Sequence, residues 1–156
     1  MRFAPRLGLS LLLACLLGIG QAQAQFGGRG ISGLERNDTP RVLPAEEAFP
    51  FTVSARRGNE ILLTWIPVSE HYLYRHRFAF SLLNAGEEAI PLSFSLPAGK
   101  STEDEFFGAI EAYFDAVTVT VDLGTVPNAD SELEIHYQGC AEWGFCYPPQ
   151  VITLAL

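Results

Sequence analysis

Apolar and polar residues alternate along most of this chain. "VTVTVDL" (Val117 to Leu123) puts Val117, Val119, Val121 and Leu123 on one side of an extended backbone. "LEIHY" does the same with Leu133, Ile135 and Tyr137, "RFAFSL" with Phe78, Phe80 and Leu82, and "LSFSL" with Leu92, Phe94 and Leu96. Strand side chains point alternately to opposite faces, so this period of two, rich in β-branched and aromatic residues, predicts half-buried strands. "FPFTVSA" and "EILLTWI" read as two more strands joined by the turn "RRGN", and "PPQVITLAL" as a closing strand. Turn residues recur at "NAGEE", "PAGK" and "VPNADS". No stretch shows a convincing helical period. Short strands at this spacing predict an all-β, immunoglobulin-like β-sandwich.

The N-terminus breaks the pattern. Arg2 and Arg6 precede a fourteen-residue apolar run, "LGLSLLLACLLGIG", and "AQA" (Ala22 to Ala24) follows it. A positive start, a short apolar core and a small-x-small site read as a secretory signal peptide over residues 1–24, cut after Ala24. A membrane span needs roughly 20 apolar residues, so the run is short for one. Residues 25–40, "QFGGRGISGLERNDTP", lack an apolar period and read as a flexible leader. The folded domain is expected over residues 41–156, in the bacterial periplasm and without membrane insertion after cleavage.

Without Arg2 and Arg6, 8 basic and 18 acidic residues remain, a formal charge of −10. That disfavours nucleic acid and anionic membrane surfaces, both of which call for basic protein surface. It leaves protein partners open, and a basic docking patch on one would suit this surface.

Cys15 lies within the apolar run and leaves with the signal peptide, so two cysteines remain, in "YQGCAEWGFCYPP" (Tyr137 to Pro149). Export lets them form a lasting disulfide. Cys140 follows a predicted strand and Cys146 precedes the last one, as at the two sides of a hairpin loop. As a staple, a bond across so short a loop would contribute only about 2 kcal/mol, against nearly 5 for a loop of about 100 residues. The loop also carries Trp143 and Phe145 at its tip, beside flexible Gly139 and Gly144. Large apolar residues on an exposed loop point to a partner. The residues alone therefore leave two readings: a redox or docking site, or a local structural disulfide. Zinc is a poor third, since His136 would bring the ligands to three and a closed structural site takes four.

"YQGCAEWGFCYPP" resembles the signature of the N-terminal periplasmic domain of the DsbD thiol:disulfide interchange proteins. In order along the chain, "LPAEEAFPF" resembles that family's opening, "LTWIPVSEHYLYRHRF" its strand with a Tyr-x-Tyr-Arg end, and "EDEFFG" its cap loop. The resemblance covers roughly Val42 to Leu156. It implies an immunoglobulin-like fold whose two cysteines take electrons from a thioredoxin-like domain. They pass them to oxidised periplasmic proteins, among them disulfide isomerases and the thiol proteins of cytochrome c maturation. By the motif, Cys146 would be the nucleophile and Cys140 the resolving thiol. Phe106 would be the cap-loop aromatic that covers the sulfurs. Phe107 stands where the family often has tyrosine. Asp104 and Glu105 would be acidic neighbours that raise a thiol's pKa by repelling the thiolate. Tyr72 and Tyr74 would pack near the site.

No cofactor beyond the Cys140–Cys146 pair, and no metal, is expected. The family continues into a membrane domain and a thioredoxin-like domain, whereas this chain ends at Leu156. The expected partners are therefore a separate membrane electron transporter and thioredoxin-like periplasmic proteins, acting on a monomer. The alternative is a non-catalytic binding module that docks through Trp143 and Phe145 and keeps its disulfide.

Overall fold

A computed structural model describes residues 41–85, 88–124 and 126–156. The signal peptide, leader and Cys15 lie outside the described residues. Twelve strands are present among the described residues: β1 (Phe51–Arg57), β2 (Glu60–Trp65), β3 (His71–Tyr74), β4 (Ala79–Leu83), β5 (Ile90–Pro91), β6 (Ser93–Ser95), β7 (Lys100–Asp104), β8 (Gly108–Tyr113), β9 (Val117–Asp122), β10 (Glu132–Tyr137), β11 (Gly139–Ala141) and β12 (Gln150–Ala155). They form three four-stranded sheets, ordered β1-β2-β9-β6, β12-β10-β4-β5 and β11-β3-β8-β7.

The first two sheets face each other across the core of the immunoglobulin-like sandwich. Ile61, Leu63 and Trp65 of β2 and Val117, Val119 and Val121 of β9 meet Phe80, Leu133, Ile135 and Tyr137 of the opposite sheet. Trp65 is fully buried at the centre, 4.9 Å from the stacked ring of Phe51 and edge-on to Phe78 at 5.1 Å and Tyr137 at 5.8 Å. The alternating apolar set of each of "VTVTVDL", "LEIHY" and "RFAFSL" lands inside, while Ala79, between Phe78 and Phe80, faces out. "LSFSL" is an edge case: Leu92 and Leu96 pack against the core, while Phe94 remains 38% exposed with its ring 5.0 Å from Phe80.

The structure departs from the predicted pattern in three places. A single helical turn, α1 (Ala45–Ala48), follows Pro44, with Glu46 and Glu47 in its first turn. It is too short to show a period, but proline and acidic residues are what a helix start favours. A 3-10 turn spans Arg75–Arg77. Third, alternation predicts none of the sheet β11-β3-β8-β7, although β3 falls in the stretch that resembles the family's Tyr-x-Tyr strand and β11 in the cysteine hairpin. Its edge strand β7, "KSTED", is largely exposed and carries no apolar face from which a strand could be read. No helix among the described residues is long and apolar enough to cross a membrane.

Candidate functional site

That third sheet carries both cysteines. On β3, Leu73 is fully buried in the main core, so its neighbours Tyr72 and Tyr74 project from the other face. There Tyr74, Ile110, Ala112 and Cys140 form a second buried cluster, with Tyr72, Phe114 and Cys146 against it. The Tyr-x-Tyr spacing thus places two phenols on the cysteine side of one strand. β11 lies beside β3 and pairs Cys140 with Tyr72. The chain leaves β10 in the sandwich, passes Gln138 and enters β11 in a different sheet.

From β11 the backbone turns back through Gly144, whose φ of +95° suits glycine. The Ala141 N–H donates to the Phe145 carbonyl (2.7 Å) and the Tyr147 N–H to the Gly139 carbonyl (3.1 Å). These bonds flank Cys140 and Cys146 and make them a directly opposed, non-hydrogen-bonded pair, the register that brings side chains closest. A disulfide joins them, with α-carbons 4.0 Å apart, nearer than the usual 4.4–6.8 Å. The predicted cysteine hairpin is therefore present. Its two sulfurs differ in access: Cys140 is 1% exposed, whereas Cys146 is half-buried and lines an open cleft.

Gly139 faces the core side of β11. A β-carbon there would stand 2.6 Å from Cζ of buried Phe49 and strike the Tyr72 carbonyl oxygen. Neither neighbour can move without disturbing β3 or the core. Gly139→Ala is therefore expected to destabilise the domain by about 3 kcal/mol, read as a fall of roughly 10 °C in thermal midpoint. A loss below about 1 kcal/mol would show that the hairpin can shift aside.

The cleft beside Cys146 holds about 210 Å³ and is lined further by Tyr72, Asp104, Glu105, Phe106 and Gly144. Its far wall is the β7–β8 turn, the "EDEFFG" segment. Asp104 anchors that turn. One carboxylate oxygen accepts the N–H groups of Phe106 and Phe107 (2.9 Å each), and the other accepts the hydroxyls of Tyr72 (2.6 Å) and Tyr74 (2.7 Å). Burial pushes the Asp104 carboxyl up, but the four hydrogen bonds outweigh it and hold the group below its ordinary value. Burial, then the bond to Asp104, pushes Tyr72 up to about 12 and Tyr74 further still. The Tyr74 oxygen also lies 3.0 Å from Sγ of Cys140 and 3.6 Å from Sγ of Cys146. A phenol thus stands between Asp104 and the two sulfurs.

The other predicted residues occupy different stations. Phe106 is 59% exposed at the cleft rim. Phe107 is turned toward β3, edge-on to Tyr74 at 5.0 Å. Trp143 and Phe145 are half-buried, not free at a tip as the sequence implies. They stack on each other at 5.7 Å, and Phe145 packs against the core and meets Tyr147 edge-on at 4.9 Å. Of the histidines, His71 is buried between Ser69 and Tyr147, His136 pairs with Glu134 at 2.8 Å, and His76 lies against Tyr74 and Phe107. His76, Arg77 and Gln138 also touch the site. Nothing in their spacing marks them. Among the described residues no three metal-ligating side chains gather.

An immunoglobulin-like domain with an opposed cysteine pair, one sulfur buried and the other at a cleft, defines a narrow class. The family model for the N-terminal domain of the thiol:disulfide interchange protein DsbD matches residues 39–156. The chain belongs to that family. It is similar to thiol:disulfide interchange proteins DsbD of Actinobacillus pleuropneumoniae (37% identical, over 80% of this chain and 20% of the relative) and Cronobacter sakazakii (39%, over 78% and 20%). It spans about a fifth of the length of these relatives. Among solved structures it resembles the reduced DsbD N-terminal domain of Neisseria meningitidis (29% identity, TM-score 0.63, covering 74% of this chain and 89% of that one). A second similar structure is the complex between the DsbD and PilB N-terminal domains of that organism (27% identity, TM-score 0.58, covering 74% and 88%).

Proposed function

We propose that this domain is a periplasmic dithiol–disulfide carrier. It takes electrons from a thioredoxin-like dithiol protein, itself fed by a membrane electron transporter, and passes them to oxidised periplasmic proteins. The observation that carries the reading is the unequal access of two directly bonded sulfurs: Cys146 at the cleft and Cys140 buried behind it. In the reduced domain the Cys146 thiolate attacks a client disulfide, and one client sulfur leaves as a thiolate and takes a proton. Cys140 then loses its proton and attacks the Cys146 sulfur. The second client thiol is released and the Cys140–Cys146 disulfide re-forms, so two electrons and two protons have passed to the client. Recharging is the reverse sequence with a donor dithiol.

The remaining residues take supporting roles. Phe106, held at the rim by the Asp104-anchored turn, shields Cys146 from small thiols and oxidants. Glu105 adds negative charge beside Gly144, and Trp143 offers its half-buried face to a docked partner. The domain works as a monomer, and its similarity to a DsbD N-terminal domain solved in complex with the PilB N-terminal domain fits a protein partner.

The reduction potential of the pair tests the reading. Equilibration in graded thiol–disulfide buffers, scored by alkylation and mass, is expected to place it between about −270 and −120 mV. A value below about −300 mV would mark a structural bond and return the domain to the binding-module reading.

A further inference from the structure

A chain of side chains ties the cleft rim to the cysteine hairpin. The ring of Phe107, on the β7–β8 turn, is flanked by Tyr74 and His76 at 5.0 Å each, and the Arg77 guanidinium carbon lies 5.5 Å over it. Nε of Arg77 donates to Oε1 of Gln138 (2.8 Å). Nε2 of Gln138 donates to the carbonyl of Tyr147 (3.0 Å), the residue after Cys146. The Gln138 carbonyl in turn accepts the N–H of Tyr74 (3.0 Å), on the strand beneath the site. Gln138 sits where the chain crosses from β10 to β11, so its amide spans both arms of the hairpin's base.

Arg77 is not placed as a surface arginine would be. The chain carries an acidic excess, yet among the described residues Arg77 forms no ion pair. Its guanidinium is committed to an aromatic face and a neutral amide. Both contacts are weak individually and directional together.

We propose that Arg77 and Gln138 form a strap of positioning residues that couples the cap turn to the Cys146 arm. A partner that displaces Phe107 withdraws the ring from under Arg77, releases Gln138 from Tyr147, and loosens the arm that carries the reacting sulfur. This inference rests on the exchange reading above.

The test is a mutant cycle in the full chain, read as the rate at which dithiothreitol reduces the disulfide. In that reaction a reagent thiolate attacks Cys146, and Cys140 leaves as a thiolate and is protonated. The second reagent thiol then loses its proton and attacks the reagent sulfur bound to Cys146. This closes the reagent's ring and expels the Cys146 thiolate, which is protonated, so that two electrons and two protons are delivered. Phe107→Ala and Gln138→Met are each expected to speed reduction by roughly three- to tenfold. The double variant should be no faster than the quicker single one, because residues in one network fail to combine independently. In an Arg77→Ala background, Gln138→Met should change the rate by less than about twofold, since the link is already cut. Arg77→Lys, which keeps a cation but not the fixed donor to Gln138, should behave like Gln138→Met.

Rate effects that simply multiply overturn the strap, as does a fall in thermal midpoint with unchanged rates. If Gln138→Met does not fold, Gln138→Glu replaces it: glutamate still accepts from Arg77 but cannot donate to Tyr147. The exchange reading fails separately, if the wild-type disulfide refuses a thioredoxin-class dithiol protein while still reacting with dithiothreitol.

Discussion

Cys140→Ala is expected to turn a transient mixed disulfide into a stable one. With Cys146 lining the cleft and Cys140 only 1% exposed, a partner sulfur can approach Cys146 alone. In the wild type the adduct lasts only until the opposed Cys140 attacks. Alanine removes that exit, and the adduct then persists until an outside thiol cleaves it. Cys146→Ala leaves a single thiol in the buried cluster with Tyr74, Ile110 and Ala112, where no second sulfur can reach it. Incubation with a thioredoxin-class protein lacking its own resolving cysteine, followed by non-reducing electrophoresis and mass analysis, separates the two. Adduct from Cys140→Ala should exceed that from Cys146→Ala by about 100-fold, since attack requires access as well as a thiolate. Equal yields would mean that the hairpin opens as a whole and that the difference in burial does not assign the roles.

What the sequence showed of this site follows the range of the interactions involved. Alternation is local, so Val117, Val119 and Val121 announce their burial. The cysteine hairpin is local too, its closing residues six apart. The change of sheet at Gln138 is set by tertiary pairing: β10 continues beside β4 and β12, and β11 beside β3. No residue type marks that step. β7 was invisible because an exposed edge strand needs no apolar face. The Asp104 hub joins residues 30 and 32 positions apart through side-chain oxygens, and such bonds leave no period. The family resemblance pointed to Asp104 and the two tyrosines. It did not reveal that the Tyr74 hydroxyl stands between Asp104 and the sulfurs.

That intermediary makes Asp104→Asn the most informative change at the acidic end. The Tyr74 hydroxyl has one hydrogen, donated to Asp104 at 2.7 Å, so toward Cys140, 3.0 Å away, it presents a lone pair. In the reduced domain that lone pair can accept an S–H but repels a thiolate, and the ionised carboxylate behind it adds to the penalty. Asparagine keeps an oxygen for the Phe106 and Phe107 N–H groups but turns an amide donor toward Tyr74. The phenol can then accept from the amide and donate to sulfur, and the negative charge is gone. Alkylation of the reduced pair at pH 7 should accelerate about tenfold, the size of effect that one nearby charge commonly produces. The sign in stability is opposite. Because the Asp104 pKa is depressed in the fold, its stabilisation is fully present above the unfolded value near 4 and lost as pH falls through the folded one. Asp104→Asn should therefore melt below the wild type at neutral pH, and the gap should close below about pH 4. Unchanged alkylation would remove Asp104 from the control of the thiols. A wild-type stability that changed through Asp104 between about pH 5 and 7 would contradict the hydrogen-bond hub itself, since four bonds of this kind hold the carboxylate ionised throughout that range.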